Sequence, residues 1–584
     1  LERAGSAPFG YGSDVVVETL ERLGIEHVAF NPGASFRGIH DSLVNRPGAP
    51  EILLCAHENI AVQVAHGYAK ASGKPMAVVL HDVVGLLNGS MALFYADTDR
   101  VPLLALGGSG PYDAARRRPE IDWRHTANVQ GNLVREFVKW DDQPASVAAI
   151  PDAMIRGHRV ATSGPTGPVY LAIDVDLQEE PLDQVPSIDP GAYATPSPLA
   201  PEAGALGQAV AALVDAERPV IVADFAGRDP ACFTLLPQLA ELVGAAVIDT
   251  GTRLSMPNRH PLDASGDDEV IRSADVVLLL DPKDVGRTLN ERPTEDRQVR
   301  SRLAAGTRIV EVGFNDRGLS SWVHHHGQMR PSAVSVTADT AVALPLMVEV
   351  ARRAVASDPP ARAEARERRR REIAEAHDRR LTAWQAEAAG AAGRSPVATA
   401  QLAAATWNAI RDYDWVLTAG DASGWARRLW DMDRPYRHAG SSLGTATQIG
   451  ISLGVALAHK GTGRLVVDLQ PDGDLLYHPG TLWTAVAHKI PMLAVMFDNR
   501  AYYNDWNHQL TMAKVRGTPA ERAREGIALD TPATDFAMLA RSFGWWSEGP
   551  ITDPGSVEAA VRRAADVVLT EGRPALVDVV CEYR

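Results

Sequence analysis

The 584-residue chain has only three cysteines, Cys55, Cys232 and Cys581, far apart and without a CxxC pair. That excludes a disulfide framework and a cysteine-based zinc site, and it suits a reducing compartment. Nowhere do eighteen apolar residues run together, so no membrane-spanning helix is expected. Positive charge is in deficit: 58 Lys and Arg face 73 Asp and Glu, a formal charge of −15. Nucleic acids and anionic membranes both call for a basic surface, so neither is expected as a partner. The opening LERAGSAPFG lacks the apolar core of a signal peptide and soon meets Asp14 and Glu18. Short-period repeats and low-complexity tracts are also missing. What remains is a cytoplasmic globular protein, 45% apolar and 22% charged, with a length that calls for two to four domains.

What is present is a threefold alternation of short apolar runs and amphipathic stretches, the pattern of parallel α/β sheets. The first stretch contains HVAF (27–30), MAVVL (76–80), VPLLAL (101–106) and PVYLAI (168–173). A proline-rich segment, EEPLDQVPSIDPGAYATPSPLAPEA, then reads as a linker. The second stretch opens at RPVIVAD and runs through GAAVID and ADVVLLLD to TRIVEVG; the third holds DWVLTAGD, GRLVVDLQPDGD, IPMLAVMFDN and ALVDVV. Between them, ARAEARERRRREIAEAHDRRL predicts a charge-laced helix, read as a solvated connector. The fold class is therefore α/β, with three doubly wound domains of mostly parallel sheets over 1–185, 200–355 and 385–584.

In the third domain, LVVDLQPDGD puts Asp472 at the end of one apolar strand, and PMLAVMFDN puts Asn499 at the end of another. Carboxyl ends of neighbouring parallel strands are where α/β sheets bind ligands. Asp472 offers a carboxylate oxygen, Asn499 an amide oxygen and Ala501 a backbone carbonyl. Mg²⁺ takes six oxygens and often shares them with phosphates. On spacing alone, two ordinary strand-end turns fit equally well, because Asp-Gly and Asn are common turn formers.

The segment from Asp472 to Asn499 resembles the GDG…N signature of the thiamine-diphosphate (ThDP) acetolactate synthase and pyruvate decarboxylase superfamily. One departure is that Pro471 stands where the first Gly is usual. A second match lies in the first domain. CAHENIAVQVAHGYAKASGKPMAVVL is similar to the family's HEQ/HEA…GYAR-TGKP stretch, and NPGAS (31–35) to its early loop. The resemblance spans essentially the whole chain and implies pyrimidine-binding (PYR), middle and diphosphate-binding (PP) domains in that order. It also implies ThDP and Mg²⁺ as cofactors and a homodimer as the minimum unit, with a tetramer as the expected assembly.

By this resemblance Glu58 is the glutamate that hydrogen-bonds N1′ of the aminopyrimidine, and poor solvation there protects the bond. His81, in AVVLHDVVG, resembles the active-site histidine of benzoylformate decarboxylase, although a strand-end histidine is also a common structural hydrogen-bonder. Gly420, Asp421, Ala422 and Ser423 resemble the loop that meets the diphosphate, where backbone N–H groups suit phosphate. Asp472, Gly473, Asp474, Asn499 and Ala501 form the metal–diphosphate loops. Asp505, with Asn504, stands where related decarboxylases carry a glutamate, one methylene longer. His508, Tyr502, Tyr503 and Trp506 either line a pocket or pack. In GSSLGTATQIGISLG, Leu443 is the candidate support for the bent cofactor, with Thr445 the alternative.

The leading expectation is a 2-oxo acid decarboxylase or an acetolactate synthase-like carboligase acting on a small carbonyl compound. The alternatives are a 2-hydroxyacyl-CoA lyase, a ThDP-dependent C–C hydrolase, and a degenerate paralogue that only binds partners. No dinucleotide glycine pattern for FAD is visible in the middle domain.

Overall fold

The computed structural model describes residues 10–186, 189–293, 298–318, 330–440 and 444–583. Three large sheets organise the chain, and every strand pairing within them is parallel. The first contains β1 (His27–Phe30), β2 (Glu51–Leu54), β3 (Met76–Leu80), β4 (Leu103–Ser109), β5 (Asp141–Asp142) and β6 (Val169–Asp174), in the order β2–β1–β3–β4–β6–β5. The middle sheet runs β8–β7–β9–β10–β11, from β7 (Pro219–Ala223), β8 (Ala246–Asp249), β9 (Val276–Leu280), β10 (Arg308–Gly313) and β11 (Val334–Thr337). The last runs β12–β13–β14–β16–β15, from β12 (Trp415–Asp421), β13 (Leu465–Pro471), β14 (Leu493–Asp498), β15 (Trp546–Ile551) and β16 (Ala575–Val580).

Central strands such as β3, β9 and β14 are buried at every residue. Helices cover both faces, so these strands read as continuous apolar runs rather than alternating ones. In the first sheet the chain goes from β1 to β2 on one side and from β3 to β4 on the other. A topological switch point therefore lies between the carboxyl ends of β1 and β3, beside Asn31 and His81. The equivalent crevice of the middle sheet, between β7 and β9, is filled. Arg100 from the first domain donates to Asp281 Oδ1 at 2.7 Å and stacks 4.4 Å from the Phe225 ring centroid.

Helix α1 (Glu58–Ser72) starts at His57, whose Nδ1 accepts from Asn59 N at 3.1 Å, and stops at Gly73, whose φ of +72° no β-branched residue would adopt cheaply. Helix α2 (Asp82–Thr98) follows β3. The charge-laced segment forms α3 (Pro360–Gly390), with only Arg366, His377 and Ala388 buried. It is more than a solvated connector: Arg369 Nη2 donates to Val243 O at 2.9 Å, and Arg380 pairs with Asp267 at 2.8 Å.

Helix α4 (Gln448–Ala458) lies directly against α1. A Cβ on Gly67 would fall 1.9 Å from Ile451 O, and one on Gly454 would fall 2.1 Å from Val64 O. The helices thus touch backbone to backbone, and one apolar core runs from the first sheet into the last across this contact. Among the described residues no helix is long and apolar enough to cross a membrane.

Candidate active site

At the carboxyl end of the last sheet, β13 and β14 run in register, Pro471 opposite Phe497, so the residues that follow them emerge side by side. Asp472 opens the short helix α5 (Asp472–Tyr477) and Asn499 follows β14. Both side chains turn onto one backbone amide: Ala501 N donates to Asp472 Oδ2 at 3.2 Å and to Asn499 Oδ1 at 3.1 Å. A carboxylate and an amide oxygen therefore converge, as a hard cation would need. Pro471 keeps its place in the strand and leaves this convergence intact. Among the described residues no three His, Cys, Asp or Glu side chains cluster as a metal site, so a metal here would draw on amide and backbone oxygens.

Burial, then the neighbouring Asp498, pushes the Asp472 carboxyl up to about 7. Asp498 carries no signal of this role in the sequence. It stands next to Asn499 in sequence but reads as the last apolar-strand residue, and nothing local marks its meeting with Asp472. Gly473 has no room for a side chain: a Cβ would lie 2.6 Å from the Tyr502 ring. Asp474 accepts from Gln448 N at 3.0 Å.

The loop after β12 is strained. Ala422 and Ser423 have φ of +49° and +62°, and Gly424 follows at +87°. Consecutive left-handed residues bearing a Cβ are held only where the surroundings impose them, and they cluster at ligand sites. Asp421 Oδ1 accepts from Gly424 N at 2.9 Å, and among the described residues the buried Ser423 Oγ has no partner. A Cβ on Gly420 would lie 2.1 Å from Gln448 Nε2.

In the first domain, Glu58 is buried at the start of α1, and Asn88 Nδ2 from α2 donates to its Oε2 at 3.0 Å. His81 directly follows β3 at the switch point, where its Nδ1 meets Ser35 Oγ at 2.9 Å. Gly85 brings the two together, since a Cβ there would lie 3.2 Å from both Glu58 Oε1 and His81 Cβ. His125 stands edge-on to the His81 ring, centroids 5.1 Å apart. Burial, then His125, lowers the His81 pKa. Ser35, Asn88 and His125 were missed because each reaches the crevice from a different loop or helix. NPGAS was the one signal that could have found Ser35.

The two halves meet where Asn59 Nδ2 reaches His478 Nε2 at 2.8 Å, just past the end of α5. Helix α6 (Tyr503–Arg516) starts beyond Ala501, and its Asn504, Asp505 and His508 are exposed. Tyr502 packs on Gly473, and Tyr503 stacks on Tyr583 with centroids 5.4 Å apart. Leu443 lies outside the described residues, and Thr445 is exposed.

Residues 11–132 match the thiamine pyrophosphate enzyme N-terminal TPP binding domain, and residues 418–579 the corresponding C-terminal TPP binding domain. The chain is 25% identical to acetolactate synthase 3, chloroplastic, of Brassica napus, over 98% of this chain and 84% of that one. Benzoylformate decarboxylase from Polynucleobacter necessarius superposes with a TM-score of 0.75 at 18% identity, covering 99% of each chain. The 4-hydroxybenzoylformate decarboxylase of Rhodococcus jostii RHA1 gives 0.74 at 19%, covering 98% of this chain and 100% of that one. At such identities the structural likeness speaks for the fold: three α/β units in one order.

Proposed function

We propose, from the premise that this chain is a thiamine-diphosphate-dependent enzyme related to the acetolactate synthases, that it is a 2-oxo acid decarboxylase or an acetolactate synthase-like carboligase. The observation that carries this reading is the shared crevice of Glu58, His81 and Ser35 at the switch point of the first sheet. ThDP, when bound, supplies the carbon nucleophile. Asp472, Asn499 and the Ala501 carbonyl would hold Mg²⁺, and the strained Gly420–Ser423 loop would present its amides to the diphosphate. Glu58, with Oε2 fixed by Asn88, would hold a proton at ring nitrogen N1′. The Ser35 contact occupies Nδ1 of His81, so Nε2 is the atom left to exchange a proton with the substrate oxygen. A ring kept neutral by burial can serve there as donor or acceptor. The working unit on this reading is a homodimer or tetramer in the cytoplasm.

The test is a screen of 2-oxo acids, with and without a second carbonyl acceptor, reading CO₂ and product. On the substrate found, His81→Ala should lower kcat by roughly 10²–10⁴-fold while ThDP affinity holds. A variant with lowered Tm but normal turnover per folded molecule would retire the role of His81.

One observation favours a second reading. A cavity of ≈ 1110 Å³ on the middle domain is lined, among the described residues, by Arg287, Arg292, Arg302 and Arg330 against Asp284 and Glu291. Guanidinium groups suit phosphates, as the polyanionic tail of a 2-hydroxyacyl-CoA would require. Including acyl-CoAs in the screen separates the two readings.

A further inference from the structure

Ala446 is a buried residue with a φ of +66°, a left-handed conformation that is unfavourable for a residue bearing a Cβ. Both of its backbone polar groups are taken by side chains from distant elements. Its N–H donates to Asp474 Oδ1 at 2.5 Å, and its carbonyl accepts from Gln63 Nε2 at 2.5 Å. Asp474 also accepts from Gln448 N, and the Gln448 side chain donates to Asp468 Oδ1 at 2.9 Å and Leu469 O at 2.7 Å. Two residues earlier, Gly444 sits so close to α2 that a Cβ would lie 2.0 Å from Tyr95 Oη.

The turn 444–448 thus touches α1, α2, α5 and β13, and through Gln448 the loop at Gly420. These are the elements that carry Glu58, Asn88, Asp472 and the strained loop. Gln63 is on the helix that Glu58 begins, and Asp474 is two residues beyond Asp472. A strained residue persists only when its surroundings over-determine it, and here the surroundings are the two halves of the site.

We propose that Asp474 and Gln63 are positioning residues that clamp the Ala446 turn and thereby set the Glu58 half of the site against the Asp472–Asn499 half. This rests on the reading of the site as a ThDP site. Neither residue needs to touch the cofactor; the clamp acts through the turn between them. Gln63 is informative because its Oε1 is buried and has no hydrogen-bond partner among the described residues. Replacing it with Met, of similar volume, removes that unsatisfied atom but also strands the buried Ala446 carbonyl, so the two effects on Tm oppose each other and ThDP affinity, not Tm, separates positioning from packing.

The test uses the full-length chain as wild type, Asp474→Ala, Asp474→Asn, Gln63→Met and the double variant Asp474→Ala/Gln63→Met. Hydrogen–deuterium exchange on the ligand-free protein reads the peptide around 444–450, and calorimetry reads ThDP affinity in Mg²⁺. We expect Asp474→Ala and Gln63→Met each to speed exchange in that peptide. Each should also weaken ThDP by about tenfold or more, the range of supporting-residue losses at metal sites. Asp474→Asn should recover part of the affinity, and the double variant should be little worse than the weaker single one, as for residues acting as a unit. Wild-type exchange and affinity in Gln63→Met, or fully additive losses, would overturn the clamp. So would a lowered Tm with ThDP affinity unchanged. A wild-type chain that binds no ThDP would sink the parent reading alone, because the exchange measurement needs no cofactor and still decides whether the clamp holds the turn.

Discussion

Asp99 and Asp472 are both buried carboxylates, yet one sits among cations and the other among further carboxylates. Asp99, fully buried where the first and middle domains meet, is bound by Lys70 Nζ at 2.7 Å, His66 Nε2 at 2.8 Å and Arg253 Nη1 at 3.1 Å. Burial alone would raise its pKa, but Arg253, Lys70 and His66 outweigh burial and hold it well below the usual range. At the end of the last sheet the balance is reversed. Asp468, Asp472, Asp474, Asp498 and Asp578 are all buried, and burial raises every one of them. Arg500 reaches Asp498 at 3.6 Å, and among the described residues no other cation forms an ion pair with any of the five. A charge the protein compensates internally holds domains together. A surplus it leaves uncompensated favours an arriving cation.

The contrast can be broken at either end. The largest effect should come from Asp99→Ala, which strands buried cations and should lower unfolding free energy by about 3–5 kcal/mol while the folded fraction binds ThDP normally. Chemical denaturation beside calorimetry reads both, and a small stability change would refute the structural role. Asp472→Ala should do the opposite: Mg²⁺-dependent ThDP binding falls by about 100-fold or more, at or beyond the upper range for supporting residues, while the ligand-free chain keeps or gains stability. Unchanged ThDP affinity would remove Asp472 from the proposed metal site.

Asp468 sharpens the comparison through pH. Its folded pKa of about 7 lies above an unfolded value of about 3.9. The folded state therefore binds the extra proton, and stability falls as pH rises from about 4 to about 7, then levels off. Asp468→Asn removes this loss. Its Tm should exceed that of the wild type at pH 8, by on the order of 1–3 kcal/mol in stability, and match it near pH 4. A parallel pH–Tm curve would show that Asp468 is not the titrating group. The smallest effect belongs to Asp505, which is exposed. Asp505→Asn should shift stability by less than about 0.5 kcal/mol, and a kcat loss beyond twofold would bring the α6 face into the site.

The strands were legible because burial on both faces writes them as apolar runs: HVAF and MAVVL coincide with β1 and β3. Asp472 and Asn499 were legible as strand ends, since adjacent parallel strands in register deliver the residues after them to one place. Less legible were the partners that arrive from elsewhere in the chain. Asn88 reaches Glu58 from the next helix, Gln63 reaches Ala446 across 383 positions of the chain, and Asp498 faces Asp472 only once β13 and β14 pair. In α3, the arginines that bind backbone oxygens of the middle domain look in sequence like the ones that face water.

The backbone contact of Gly67 with Gly454 also bears on how the chain is made. Thirteen of the fifteen residues of α1 are buried, and the helix that covers much of that face is translated roughly 380 residues later. At about 5–20 residues per second, the nascent first domain waits roughly 20–80 s with an apolar, glycine-notched helix face open to whatever else is in the cell. The ribosome thus sets a period of exposure that the finished molecule does not reveal, and a chaperone that occupies this face would have to leave by the time α4 emerges.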